Sequence, residues 1–266
     1  MSNITVIIPV HEFNEDIELM LDKAVESVEK QDVVDAPKIC IVASPEIVVE
    51  IHKNKRFKNC SFILNHKTTD FQTQINYALN VVDTEYFSVL EFDDEYNTTY
   101  FTNVAKYIKS MPEVDIFMPM IIDVDSEGKG LSTTNQAVWS QQFVGENGKL
   151  GVLNMDTLKS VMEFNLSGAI IKTETFKEIG GYKANIELTF GYELLLRALN
   201  NANNVFVIPK IGYKHLATRV GSMFDVYEKT LLKPERKFWY EVALKEYMFN
   251  NDREIDTTKL KKIIVE

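Results

Sequence analysis

Short, continuous runs of apolar and β-branched residues alternate with helical patterns through the first third of the chain. Residues 4–10 form a continuous run, and residues 38–43, 61–64 and 86–92 are predominantly apolar. Uninterrupted apolar runs of this length are typical of strands that are buried on both faces. Apolar residues with helical spacing lie between them, as in residues 14–28, and this is the order of βαβ units. The sequence therefore predicts an α/β fold with a mostly parallel central sheet flanked by helices.

The rest of the chain carries further elements at less regular intervals. Strands are predicted at 116–122, 165–172 and 205–208. Helices are predicted at 46–52, 71–80, 156–164, 173–179, 193–199 and 238–249.

Residues 131–154 are polar and predict a long loop, in which Trp139 is either a platform for a sugar or base ring or a core anchor. We expect one domain over residues 1–225, with a nucleotide-binding type of architecture in its first half, residues 1–97. A C-terminal helical extension covers 226–266.

The charge balance limits the partners of this chain. Its 29 Lys and Arg stand against 39 Asp and Glu, a net charge of −10. An acidic protein gains nothing from nonspecific attraction to nucleic acid or anionic lipid. Only residues 205–266 are basic, with 12 Lys and Arg against 9 Asp and Glu.

No apolar stretch approaches the roughly 20 residues that span a bilayer, so we expect no membrane insertion. The amino terminus lacks the basic region and the long apolar region of a signal peptide. The only two cysteines, Cys40 and Cys60, have no metal-type spacing. A reduced, cytoplasmic protein is the expectation.

Four carboxylates follow the predicted strand at 86–92: Glu91, Asp93, Asp94 and Glu95. Like charges this close repel, which suggests that a cation or a proton is held between them. The carboxyl ends of strands in α/β proteins are also where ligands bind. A solvated acidic turn is the alternative interpretation. The sequence contains neither GxGxxG nor GxxxxGK[ST], so a dinucleotide-binding fingerprint and a P-loop are both excluded.

Several motifs, in this order along the chain, resemble those of the family 2 glycosyltransferases. The opening run ends in Pro-Val-His-Glu12, and Glu91-Phe92-Asp93 is similar to the family's DXD motif. Gly180-Gly-Tyr182 matches its Gly-Gly-aromatic turn, and a late segment begins at Tyr213. The resemblance covers about residues 1–225 and implies the GT-A fold and a nucleotide-diphosphate-sugar donor. It also implies that residues 1–97 are the nucleotide-binding half and residues 98–225 the acceptor-side half. The combined motifs of the second half and the terminal helix also look like glycosyltransferases of tailed bacteriophages, which would place the protein in the host cytoplasm.

The resemblance implies a site for Mn²⁺ or Mg²⁺ and for the donor diphosphate. Asp93 would hold the ion, helped by Glu91, with His215 as a further metal or diphosphate contact. Asp94 would be a supporting contact to the ion and the donor. Lys214 and Arg219 would pair with phosphate, although both also suit a solvated loop.

The nucleoside contacts implied by the resemblance lie at the first strands. Pro9, Val10 and Glu12 would border the nucleotide, and Asn76 would correspond to an Asn after the third strand. The second strand ends in Ala-Ser44-Pro rather than in the family's acidic pair, so Ser44 would have to serve there.

The general base is the least determined residue. The family's Glu-Asp pair before the helical Arg falls on Phe190 and Gly191, and the nearest acids are Glu193 and Glu187. Glu193 could deprotonate the acceptor hydroxyl, or could equally be a helix acid favoured by the macrodipole. Glu187 is the second candidate.

These observations predict a metal-dependent, inverting glycosyltransferase with a UDP-sugar as donor. The acceptor could be a glycan, a protein or a hydroxymethylated base of phage DNA. A non-catalytic nucleotide-sugar-binding protein and a nucleotidyltransferase are the alternatives.

Overall fold

The computed structural model describes residues 3–33, 36–66, 70–140, 149–162, 164–220, 222 and 232–265. Its strands are β1 (Ile4–Val10), β2 (Lys38–Ala43), β3 (Ser61–Leu64), β4 (Tyr86–Val89), β5 (Glu95–Tyr96), β6 (Ile116–Val124), β7 (Gly130–Thr134), β8 (Val152–Leu153), β9 (Ile170–Lys172) and β10 (Val205–Leu216). Its helices are α1 (Glu15–Glu29), α2 (Pro45–Ile51), α3 (Phe71–Ala78), α4 (Tyr100–Ser110), α5 (Met155–Ser160), α6 (Thr173–Glu178), α7 (Phe190–Asn200), α8 (Lys233–Glu246) and α9 (Thr258–Val265).

One mixed sheet forms the centre of the molecule, in the order β3-β2-β1-β4-β9-β6-β10-β5. The first four strands are mutually parallel, and β6 is parallel to β10. Strand β9 is antiparallel to both β4 and β6, so these two halves of the sheet run in the same direction. The predicted α/β fold with a mostly parallel sheet and flanking helices is confirmed.

Helices cover both faces of this sheet, which is why β1 is buried throughout and is apolar except for Thr5. Val6 and Ile8 pack in the same apolar cluster as the buried residues of α1. Ile7 points to the other face and packs in the cluster that contains Ile75 of α3. Helix α1 begins where predicted because the Asn14 side chain accepts a hydrogen bond from the Ile17 amide.

The predicted extents of two strands were wrong. Strand β4 ends at Val89 rather than at residue 92, because the chain then turns and Asp94 N donates to the Glu91 carbonyl. Strand β10 continues to Leu216 rather than residue 208, alongside β6. Gly212 of β10 is required there, since a Cβ would lie 2.2 Å from the Tyr100 ring.

The predicted loop at 131–154 contains β7, a short 3₁₀ turn and β8, while residues 141–148 lie outside the described residues. Trp139 is a core anchor: its indole N–H donates to the Val207 carbonyl and its ring packs against Phe206.

The C-terminal extension packs on the domain through α8 and α9. Its apolar side chains Phe238, Trp239, Val242 and Leu260 form a separate cluster with Ile186. Helix α8 starts at Lys233, with Pro in its first turn, rather than at residue 238. Residues 226–231 lie outside the described part of the chain, and the domain boundaries remain a prediction. Within the described residues, no helix has the length and apolar character needed to cross a membrane.

Candidate active site

An acidic turn, residues 91–94, follows β4 at the carboxyl end of the parallel strands. Asp94 is 2% exposed, and one of its oxygens accepts a hydrogen bond from the Leu216 amide at 2.8 Å. Glu91 Oε1 accepts from the Ser167 hydroxyl at 3.3 Å. Burial, followed by the charges of Asp94 and Asp93, raises the pKa of Glu91 to about 8. Burial also raises the pKa of Asp94 well above its usual range.

Arg219 is the cation that faces this turn. Its Nε lies 2.5 Å from Asp93 Oδ2, and its Nη1 lies 3.9 Å from Glu12 Oε1. The guanidinium also lies over the Phe92 ring, 5.0 Å from the ring centroid. The side chain of Arg219 is only 16% exposed, and its contacts with Asp93 and Glu12 connect the acidic turn to the end of β1.

His215 lies on β10 opposite Asp123 on β6, and its Nδ1 is 2.9 Å from Asp123 Oδ1. Burial alone would lower the pKa of His215, but the hydrogen bond with Asp123 and the charge of Glu91 raise it overall. The imidazole therefore carries positive charge more readily than a free histidine does, next to the acidic turn.

A cavity of about 430 Å³ opens beside the turn. It is lined by Pro9, His11, Asp70, Phe71, Gln72, Glu91, Phe92, Asp93, Ala184, Glu187 and Arg219. The residues come from the end of β1, the acidic turn, the amino-terminal end of α3 and the loop before α7. The cavity therefore joins the two halves of the predicted domain.

The Gly-Gly-Tyr turn lies behind this cavity. Gly180 and Gly181 both have left-handed backbones, with φ of 90° and 70°. The Asn76 amide donates to the Tyr182 carbonyl and accepts from the Tyr182 amide. Both the nitrogen and the oxygen of the Asn76 side-chain amide therefore hold the turn against α3.

The family model described as "Glycosyl transferase family 2" matches residues 5–167, more than half of the chain. The chain belongs to glycosyl transferase family 2. Its fold is similar to the crystal structure of S. aureus TarS 1–349 in complex with UDP, with a TM-score of 0.61, 17% identity, and coverage of 95% of this chain and 67% of that one. The corresponding complex with UDP-GlcNAc has a TM-score of 0.59 and 18% identity over 90% and 64% of the two chains.

A mannosyltransferase from Pyrobaculum calidifontis, in complex with GDP-Man and Mn²⁺, has a TM-score of 0.58 and 13% identity, covering 82% of this chain and 58% of that one. At these identities the likeness is one of fold, and it agrees with the predicted GT-A architecture. No curated protein sequence is similar to this one at a significant level.

This glycosyltransferase does not bring Glu193 to the cavity. The side chain of Glu193 is 0% exposed and lies in an ion cluster with Lys183 and Arg197. Arg197 Nε and Nη2 each donate to one Glu193 oxygen at 2.9 Å, and Lys183 Nζ lies 2.9 Å from Glu193 Oε1. This placement removes Glu193 from the candidate bases, because neither oxygen can reach an acceptor.

Glu187, in contrast, is exposed and lines the cavity together with Asp93. Of the donor-side residues predicted from the resemblance, Pro9 and Arg219 also line it, and Glu12 lies beside Arg219.

Four predicted donor contacts have other positions. Val10 is fully buried in the core, and the Ser44 hydroxyl caps α2 by accepting from the Ile47 amide. Lys214 lies 3.8 Å from Glu95 on the antiparallel β5–β10 pair. Asn76 holds the Gly-Gly-Tyr turn.

Sequence reasoning missed Asp70, Phe71 and Gln72 at one wall of the cavity. Asp70 is the cap of α3, accepting from the Thr73 amide at 2.8 Å. A capping Asp before an apolar helical run was the signal that could have located this wall.

The acidic turn has the chemistry of a divalent-cation site. Within the described ranges, no group of three or more His, Cys, Asp or Glu side chains is arranged as a metal cage. A Mg²⁺ or Mn²⁺ site in a nucleotide enzyme needs only one or two carboxylates, since phosphate and water complete the shell. Asp94 Oδ2 is buried, and burial raises the pKa of both Asp94 and Glu91. A divalent cation would stabilise the ionised forms of these carboxylates, which burial disfavours.

Proposed function

We propose that this chain is a metal-dependent, inverting glycosyltransferase that moves a sugar from a UDP-sugar to an acceptor hydroxyl. The observation that carries the proposal is that Asp93, Arg219 and Glu187 line the same cavity. These residues supply an anion for a metal ion, a cation for a diphosphate and a carboxylate for a proton. The UDP and UDP-GlcNAc complexes of the similar fold support the choice of donor.

On the donor side, Arg219 binds the diphosphate. Its guanidinium presents paired N–H donors that match phosphate oxygens, and it already lies over the site. Asp93, with Glu91 and His215 nearby, would hold Mn²⁺ or Mg²⁺. That ion supplies Lewis-acid neutralisation of the charge that builds on the leaving diphosphate.

On the acceptor side, Glu187 is the general base. Its carboxylate accepts the proton of the acceptor hydroxyl as the oxygen attacks the anomeric carbon, and the bond to the diphosphate breaks on the opposite face. One displacement of this kind inverts the configuration and needs no covalent enzyme intermediate. Glu187 replaces the missing acidic pair of the family, whose positions hold Phe190 and Gly191.

The charges around the cavity favour an uncharged acceptor hydroxyl, on a glycan or a protein, over DNA. Asp70 and Glu187 line the cavity together with the acidic turn, and Arg219 is the one Lys or Arg among the described lining residues. A polyanion would meet repulsion there, in addition to the net charge of −10.

Incubation of the full chain with a panel of nucleotide sugars and Mn²⁺ tests the proposal. Release of nucleoside diphosphate, with inverted configuration in the product, is the expected result. Release of pyrophosphate would instead identify a nucleotidyltransferase. Donor binding without any release would identify a non-catalytic nucleotide-sugar-binding protein, the alternative that the Phe190-Gly191 replacement favours.

A further inference from the structure

The loop that carries Glu187 has two faces. We define residues 183–189 as the acceptor loop; Ala184 and Glu187 on it line the cavity. The residues between and beside them turn the other way, towards the C-terminal extension. The Thr189 hydroxyl donates to the Trp239 carbonyl at 2.8 Å, and the Asn185 amide donates to the Arg253 carbonyl. One face of the loop therefore forms the active site while the other is bound to the extension.

Lys183 is the most buried of these connections. Its side chain is 2% exposed, and its ammonium donates to the Glu246 carbonyl at the end of α8 at 2.6 Å. The same ammonium lies 2.9 Å from Glu193 in α7. A buried ammonium needs both a counter-charge and acceptors, and Lys183 obtains them from two different helices. Its position fixes the start of the acceptor loop relative to both.

The rest of the ion cluster fixes the turn that precedes the loop. Arg197 donates through Nη1 to the Ile179 carbonyl and through Nη2 to the Gly181 carbonyl, the latter at 2.7 Å. These bonds hold the left-handed Gly180-Gly181 backbone. Because Glu193 pairs with both Arg197 and Lys183, the turn and the acceptor loop are held by one buried carboxylate.

Apolar packing completes the support from behind. Ile186, next to Glu187, is fully buried against Phe238, Trp239 and Val242. The Ala184 amide donates to Asp252 Oδ2 of the extension at 3.1 Å. The loop thus contacts the extension on both sides of the cavity-facing Glu187.

We propose that Lys183 is a positioning residue for Glu187, and that the C-terminal extension is part of the catalytic machinery because it holds the acceptor loop in place. This inference rests on the proposed function in one respect, the role of Glu187 as base. It predicts that removing a contact between the acceptor loop and either Glu193 or the C-terminal extension lowers turnover. The donor site should be unchanged, since Asp93 and Arg219 make none of these contacts.

The test uses the full chain with Lys183→Met, which keeps the volume and removes the charge. Lys172→Met is the control, because Lys172 likewise contacts one carboxylate, Asp115, and one carbonyl at 3.0 Å each, but neither contact is with the acceptor loop or the C-terminal extension. Three quantities are measured: UDP affinity with Mn²⁺ by calorimetry, UDP release from a UDP-sugar, and amide hydrogen exchange of the acceptor loop.

We expect Lys183→Met to lower UDP release by about 10- to 100-fold, the size of effect that a misplaced catalytic group produces, with UDP affinity within about twofold of wild type. Lys183→Arg should restore most of the turnover, and the control should resemble wild type. Turnover of Lys183→Met equal to that of the control, or UDP affinity lost together with turnover, would overturn the inference.

Two further measurements keep the inference testable. If Lys183→Met does not fold, Asp252→Ala decides, since Asp252 is exposed: turnover reduced several-fold at unchanged UDP affinity supports the inference, and wild-type turnover overturns it. If wild type turns over no donor, the proposed function fails, and hydrogen exchange decides the structural claim. Faster amide hydrogen exchange in Lys183→Met than in wild type, confined to residues 183–189, supports the structural claim, and unchanged exchange there overturns it.

Discussion

Replacing Glu193 by Gln tests whether this acid is structural or catalytic. The side chain is 0% exposed and neutralises two buried cations, Lys183 and Arg197. Removing one partner from a buried ion pair typically costs about 3–5 kcal/mol, because an uncompensated charge remains in the core. For a chain of this size each kcal/mol lowers the melting temperature by about 2–4 °C. Glu193→Gln should therefore melt roughly 6–20 °C below wild type.

Glu187→Gln is the matched variant for this prediction, with the same chemical change at an exposed residue. We expect its melting temperature to stay within about 2 °C of wild type, since exposed substitutions are usually worth less than about 0.5 kcal/mol. Its turnover should fall about 10²- to 10⁴-fold, as expected for loss of a general base. Thermal unfolding followed by circular dichroism, paired with the UDP-release assay, gives both quantities.

Stability separates the two roles, because Glu193→Gln also disturbs the acceptor loop and so lowers turnover. A Glu193→Gln variant that melts with wild type but releases no UDP would show that Glu193 acts on substrate. Full activity of Glu187→Gln would equally refute the assignment of the base.

Three further predictions concern the acidic turn and the glycine turn. Burial raises the pKa of Glu91 to about 8 from an ordinary value of 4.5, so wild-type stability should fall as the pH rises between these values. Glu91→Gln should therefore melt above wild type in thermal melts, by a margin that grows from pH 5 to pH 8, and a margin that stays constant would contradict the prediction. Arg219→Gln should weaken UDP binding, measured by calorimetry, about 10- to 100-fold, which is the value of a charge-assisted hydrogen bond. The same variant should bind Mn²⁺ more strongly in the absence of nucleotide, because Asp93 is no longer paired with the guanidinium. Mn²⁺ electron paramagnetic resonance measures this second effect, and weaker Mn²⁺ binding would contradict the prediction. Gly181→Ala should lower the melting temperature more than Gly128→Ala. Both backbones are left-handed, but only at Gly181 would a Cβ clash, 2.6 Å from Asn76 Oδ1. Equal decreases in melting temperature for the two variants would contradict the prediction.

The first three strands were predictable to the residue. Each is a short, predominantly apolar run between polar or turn residues, and the pattern is clearest in β1, which is buried throughout. The second half of β10 was not predictable, because Pro209, Lys210 and Gly212 interrupt its apolar run. Pairing with β6 outweighs these low strand propensities, and that partner is about 90 residues away in sequence.

The acidic turn and Arg219 were found from the sequence because strand-end acids and a late basic segment are local patterns. The role of Glu193 was not, although Glu193 and Arg197 have the i, i+4 spacing of a helical ion pair. Nothing local shows whether such a pair faces solvent, a cavity or the core. Lys183, which also pairs with Glu193 in the core, comes next to this pair only in the folded chain.

The contacts of Asn76 and His215 illustrate the same limit. Asn76 bonds to Tyr182, 106 residues away, and His215 to Asp123, 92 residues away. Such side chains can be identified in the sequence as polar residues near a site. Whether they bind a ligand or the protein itself depends on tertiary contacts that no spacing encodes.

The most direct test of the account is UDP release from a UDP-sugar by wild type and Asp93→Ala, each with and without Mn²⁺. Asp93 lines the same cavity as Glu187 and pairs with Arg219, so the account predicts Mn²⁺-dependent release by wild type and none by a folded Asp93→Ala variant. Undiminished, Mn²⁺-dependent release by Asp93→Ala would contradict the assignment of this cavity as the site of sugar transfer.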